Sequence, residues 1–146
     1  MSRPFAHLPS PILAVALTGI IGMGPLHPVA AAAVPDRSSP PAAGDELRGR
    51  RVYQAHCGWC HSIDANGFGP SHRGLFGRRS GGAPGYRYSA ALKATETVWS
   101  AATLDVWLKN PPAMIAGTTM TVRLPAPQDR ADVIAYLRKA TEGARP

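Results

Sequence analysis

The sequence predicts an all-α domain in which four to five short helices and long loops wrap one large buried group. Three observations predict it. Apolar residues recur at helical spacing in segments bounded by cap and stop residues, and nowhere do they alternate with the period of a strand. Gly and Pro are 15 each in 146 residues, which is high for a plain bundle and demands many turns. Ser62 to Gly82 is a glycine-rich loop with no pattern of its own, and a compact domain does not hold ~20 structureless residues without a cause. Apolar side chain is scarce for the size, so a bound group has to complete the core.

The N-terminus reads as a targeting segment. Arg3 and His7 precede an apolar run from Ile12 to Met23, and small residues follow from Val29 to Ala33. This is the pattern of a secretory signal with a cut after Ala32 or Ala33. The run is short of the ~20 residues that span a bilayer. An uncleaved membrane anchor is the competing reading. The expected organisation is a signal peptide at 1–33, a flexible proline-bearing linker at 34–43 and one domain at 44–146, with no membrane span left after cleavage.

Within the domain, Asp45 and Glu46 open a first helix that runs to about Cys57, with acids at its positive end. Gly49 inside it costs helix propensity and points to a close crossing. Val52 and Tyr53 give it an apolar edge. Ser89 caps a short helix through Ala94. Ser100 or Thr103 caps another, with Leu104, Trp107 and Leu108 on one face and Pro111 as its stop. The last helix spans about Gln128 to Thr141, with Val133, Ile134, Leu137 and Ala140 as its stripe. Asp129 and Asp132 are expected in its first turn, Arg138 and Lys139 in its last, and Gly143 as its end.

Both cysteines of the chain lie in Cys57-Gly58-Trp59-Cys60-His61, a C-x-x-C-H motif. Two thiols three positions apart at a helix end can reach the two vinyl groups of one porphyrin and form thioethers. The next residue, His61, then lies under the iron as an axial ligand. A redox dithiol would need a thioredoxin-like strand context, whereas the residues before Cys57 look helical. A disulfide over this spacing would staple almost nothing. A zinc site would need further ligands, with only His56 and His72 nearby. Haem c, one per chain and covalent through Cys57 and Cys60, is therefore the expected cofactor.

An electron carrier needs a sixth iron ligand that stays on in both oxidation states, and a thioether raises the potential. Met120 ends Gly117-Thr118-Thr119-Met120, a loop that can lie across a haem face with its backbone bonds satisfied locally. Met120 is the candidate. Met114 and an imidazole from His72 are the alternatives, as is an open iron.

Residues 44–141 resemble the small soluble cytochromes c of mitochondrial type and their bacterial relatives. The resemblance rests on Cys57 to His61, Gly69-Pro70, Gly74-Leu75-Phe76-Gly77-Arg78, Pro84-Gly85-Tyr86, Tyr88-Ser89, Trp99, Leu108-Lys109-Asn110-Pro111, Gly117 to Met120 and Asp132 to Leu137. It implies the cytochrome c fold, with first and last helices crossing at Gly49. It also implies that Pro70 accepts the His61 ring N–H. Arg78, Tyr88 and Trp99 would hold the haem propionates, and Phe76 and Leu108 would form pocket wall. The chain departs from the family at Trp107, Leu92 and Thr121-Val122 and in a shorter loop after His61. It also lacks most of the lysine ring of the mitochondrial members.

The resemblance implies a periplasmic one-electron carrier, a monomer and not an enzyme, cycling between ferric and ferrous iron. A haem enzyme or sensor would need an open sixth position, and a dedicated subunit of one dehydrogenase or reductase would share the fold. The net charge is +7, with 16 Lys+Arg against 9 Asp+Glu. This suits acidic-faced redox proteins as partners. Arg73, Arg79, Arg87 and Arg123 are candidates for the missing lysines. No nucleic-acid partner is expected of an exported haem protein.

Overall fold

The computed structural model describes residues 42–142. The signal segment, most of the linker and Gly143 lie outside them. The described residues are all-α, as expected. They build α1 (Glu46–His56), α2 (Ala90–Ala94), α3 (Ala101–Lys109), α4 (Pro111–Met114) and α5 (Pro127–Thr141). Extended pairing among them is limited to one isolated bridge between Arg79 and Val98. No described helix is long and apolar enough to cross a membrane.

The helix ends follow local chemistry. The Asp45 side chain caps α1 by accepting from the Arg48 backbone N–H at 2.7 Å. Ser89 caps α2 through the Leu92 N–H. At α3, Ser100 and Thr103 both act, as the two halves of one reciprocal capping box. Pro111 does follow the end of α3, but it also starts α4 as a first-turn proline, where its missing N–H costs nothing. That short helix was not expected.

α1 and α5 cross at the two glycines of the α1 region. A Cβ on Gly49 would overlap the Asp132 carbonyl, and one on Gly44 would overlap that of Ala131. Only glycine lets the two backbones come this close. The crossing is then tied by one carboxylate. Asp132, its side chain 2% exposed, accepts from the Asp45 N–H at 2.7 Å, Arg48 Nε at 2.7 Å and Nη2 at 3.0 Å, and Gln128 Nε2 at 2.9 Å. This corrects the expectation for Asp132. α5 starts at Pro127, so Asp132 lies beyond the first turn and serves the helix pair rather than the helix dipole. Asp129 alone is the acid of that first turn.

Arg130 ties α5 to α3. It is buried, donates to Asp105 at 2.7 Å, and satisfies the carbonyls of Leu124 and Pro125. Val133, Ile134 and Leu137 of α5 are buried against Leu104, Trp107 and Leu108 of α3 and against Tyr53 of α1, within one apolar cluster.

Burial alone would push the Asp132 carboxyl up, but the hydrogen bonds from Arg48, Asp45 and Gln128 outweigh it and hold the group below its ordinary value of 3.8. A carboxyl depressed in the folded state stabilises the fold above its unfolded pKa, and loses that contribution as pH falls through the folded one. Asp132→Ala should therefore cost about 2 kcal/mol at pH 7, or roughly 10 °C in Tm for a domain this size. The gap to the natural protein should narrow below about pH 4. Thermal melts of both proteins at pH 7 and below pH 3 check this, and an unchanged Tm at pH 7 contradicts it.

Candidate haem site

α1 ends by delivering the C-x-x-C-H motif. Cys57 is its C-cap, with its N–H on the Tyr53 carbonyl at 2.8 Å. The chain then tightens into turns, with the Cys60 and His61 N–H groups both on the Cys57 carbonyl, at 3.0 and 2.9 Å. Both thiols are free, Cys57 buried and Cys60 exposed. Burial, with Cys60 adding to it, pushes the Cys57 thiol up to about 11. The residues leading to Cys57 are the helix α1 rather than the strand that precedes a thioredoxin-like pair.

His61 has one ring nitrogen committed. Its Nδ1 lies 2.8 Å from the Pro70 carbonyl, as the resemblance implied. A carbonyl only accepts, so Nδ1 carries the proton and Nε2 keeps its lone pair. Burial lowers the ring's pKa, against the Pro70 bond that raises it. Gly69 is packed so tightly on this ring that a Cβ there would overlap it. Its N–H donates to the Cys60 carbonyl at 2.7 Å, which fixes the loop against the motif.

His72, the alternative imidazole for the sixth position, lies on His61 instead. The two rings stack with centroids 4.4 Å apart at 17°. The Tyr53 hydroxyl reaches His72 Nδ1 at 3.1 Å. Burial pushes the His72 ring down to about 3, with His61 and Arg78 acting in the same direction. Burial beside two groups that can carry positive charge disfavours the protonated ring.

Cys57, Cys60, His61 and Met120 line one cavity, together with Pro70, Arg78, Tyr88 and Trp99. These eight residues, singled out in the sequence, are thus brought to the same space. Met114 packs against the apolar cluster and is not among the lining residues. Met120 is half-buried, and its N–H bonds Thr118 Oγ1 at 3.3 Å. Gly117 turns the loop with φ +85°, and the Thr118 N–H returns to the Ile115 carbonyl at 3.2 Å. Two of the loop's backbone N–H groups are therefore satisfied within it.

Phe76 is corrected. It does not line the cavity; Leu75, 5% exposed, does. Phe76 instead carries the Arg138 guanidinium over its ring at 4.7 Å. Leu108 is wall, as expected. Sequence reasoning missed Leu75, Leu104, Val133 and Leu137 as lining residues. The α5 stripe was the signal that could have found the last two. The departures at Leu92, Trp107, Thr121 and Val122 all line the cavity too.

The residues present fit a haem. The space runs from the C-x-x-C-H motif on one side to the Met120 loop on the other. Its wall is mainly apolar and aromatic, which suits a macrocycle. Arg78 donates through Nη1 to the Arg73 carbonyl and through Nη2 to the Ser71 carbonyl, both at 2.9 Å. Its Nε is buried without a partner, so the guanidinium still has a donor to give. Burial lowers its pKa, so an anionic group beside it would be favoured. The Tyr88 hydroxyl accepts from the Ala83 N–H at 3.2 Å and keeps its own proton to donate. Trp99 is buried, its ring centroid 5.3 Å from that of Trp107.

The family model described as Cytochrome c matches residues 47–141. The chain belongs to the cytochrome c family. Cytochrome c of Sesamum indicum is 44% identical over 102 residues, covering 67% of this chain and 92% of that protein. Cytochrome c2 of Rhodomicrobium vannielii is 44% identical over 100 residues, covering 66% and 79%. The solved structure of cytochrome cH from Methylobacterium extorquens superposes with a TM-score of 0.63 at 37% identity, covering 66% of this chain and 99% of that one. Cytochromes c are electron carriers with covalently bound haem c and iron, and this chain has the two cysteines for it.

Proposed function

We propose that this cytochrome c is a monomeric periplasmic carrier, not an enzyme, that takes one electron from one redox protein and gives it to another. The carrying observation is that one cavity gathers Cys57, Cys60, His61 and Met120. When bound, a single haem supplies a ferric/ferrous couple. Cys57 and Cys60 would hold it as thioethers, Cys57 from within the wall and Cys60 at the exposed edge. His61 would bind iron through Nε2, its ring held by the Pro70 carbonyl and crowded by Gly69. Met120 would bind from its own loop, and a neutral thioether there favours the reduced state. Arg78 would give its free Nε–H to a propionate, with Tyr88 and the Trp99 ring N–H beside it. The buried wall keeps water from the iron, so the ligand set need not change between oxidation states and reorganisation stays small.

The partner reading rests on charge. Of the four arginines considered, Arg73 is paired with Asp64 at 2.5 Å and bonded to the Ala140 carbonyl, and Arg79 is paired with Glu96 at 2.9 Å. Arg87 and Arg123 are exposed, and each adjoins cavity-lining residues, Tyr86 and Tyr88 for one and Val122 for the other. Of these four, they are the candidates to meet acidic faces. Export of the chain is supported by the signal pattern at 1–33 and by covalent haem attachment, which occurs outside the cytoplasm.

Met120→Ala should abolish the weak far-red band of a Met–iron bond, lower the reduction potential and let the reduced protein bind carbon monoxide without denaturant. Unchanged spectra would remove Met120 from the ligand set. The rate of electron exchange with an acidic redox protein should fall steeply as salt rises, and Arg87→Glu with Arg123→Glu should slow it and flatten that dependence. A rate indifferent to both would refute the electrostatic docking reading.

A further inference from the structure

A run of aromatic contacts leads from the helix crossing to His61. Tyr136 of α5 packs against Tyr53 of α1, ring centroids 5.2 Å apart. Tyr53 meets His72 edge-on at 5.6 Å and 70°, and its hydroxyl bonds His72 Nδ1 at 3.1 Å. His72 then lies flat on His61, 4.4 Å away and within 17° of parallel. The His72 backbone is itself fixed, its N–H on the Ser62 carbonyl at 3.0 Å.

Gly69 crowds the edge of the His61 ring, and His72 covers a face of it. The Pro70 carbonyl aims one ring atom but leaves the ring able to tilt about that bond. A flat neighbour held at a fixed angle removes the tilt. An apolar pair would fill the space without burying a hydroxyl and an imidazole, and burying polar groups has a cost unless they are bonded. The bonded pair fixes the angle of the His72 ring, which two apolar side chains would leave to packing alone.

We propose that His72, anchored by the Tyr53 hydroxyl, is a positioning residue that sets the ring plane of His61 and through it the electron distribution at the iron. This rests on the ligation of iron by His61 proposed above. The plane of an axial imidazole decides how its π orbital meets the metal and so how unpaired spin spreads over the macrocycle edges.

The test uses the covalently loaded ferric protein. Proton NMR of the haem methyl groups and EPR g values report the ligand plane, and neither responds to packing loss alone. His72→Leu removes the flat face, His72→Phe keeps a ring without the bond, and Tyr53→Phe removes only the hydroxyl. His72→Leu should reorder or respace the methyl resonances and change the g anisotropy. His72→Phe should lie closer to the natural protein, and Tyr53→Phe should shift both readouts in the same sense by less. Natural methyl patterns and g values in His72→Leu and Tyr53→Phe, even with a lowered Tm, would overturn the inference and leave a packing role. Should His72→Leu yield no holoprotein, Tyr53→Phe decides, since it retains both rings. A natural protein that lacks low-spin His/Met signals would sink the ligation reading, and this inference with it. Intact ligation with unmoved methyl resonances would sink this inference alone.

Discussion

The cavity is the constraint on which the other features depend. In an ordinary domain of this size, buried apolar side chains fill the space between elements completely. Here Leu75, Leu92, Trp99, Leu104, Trp107, Leu108 and Leu137 are buried, yet all line one shared space, with Val133 fully buried behind it. Left to water, that wall would hydrate apolar surface that folding otherwise removes from solvent. A large flat apolar group attached to the chain supplies the missing core. It also explains why long loops, rather than further helices, close the far side: loops can follow the outline of a disc.

The helix crossing and the cavity are one mechanical unit. Gly44 and Gly49 let α1 approach α5, and Asp132 ties them together. α1 then ends at Cys57, so the crossing decides where the two thiols and His61 are presented. Asp132 and Arg130, both buried ionic groups on α5, fasten it to α1 and α3 respectively. Each has several bonds in place, which is the condition under which a buried charge is tolerable. The electron-carrying reading needs this rigidity, because an axial ligand that shifts on oxidation would slow transfer.

Features set by neighbours in the chain were legible in the sequence. Ser89, and Ser100 or Thr103, were readable as caps because a cap and its partner lie three residues apart, and Asp45 was readable as an acid at a helix start. The C-x-x-C-H motif and the Met120 loop were readable for the same reason, and all their candidate side chains do line one cavity. What failed depends on distant partners or on irregular backbone. Asp132 was read as a dipole residue because its partners Asp45 and Arg48 are more than 80 residues away. Phe76 and Leu75 exchanged roles because a loop has no period from which to choose an inward face. The second function of Pro111 was hidden by its first, since a proline that stops one helix also suits the start of the next. His72 was considered only as a metal ligand, and its contact with Tyr53 spans 19 residues of sequence.

The most direct test of the claim that the bound group is the core compares the loaded protein with the Cys57→Ser/Cys60→Ser chain, purified free of haem as judged by its Soret absorbance. Far-UV circular dichroism and a thermal melt are recorded for both. The loaded protein should show strong helical ellipticity and one cooperative transition, and the haem-free chain should lose most of that ellipticity and melt without a cooperative step. A haem-free chain with native ellipticity and a sharp melt would contradict the claim, because the polypeptide would then pack a core of its own and the haem would be its cargo.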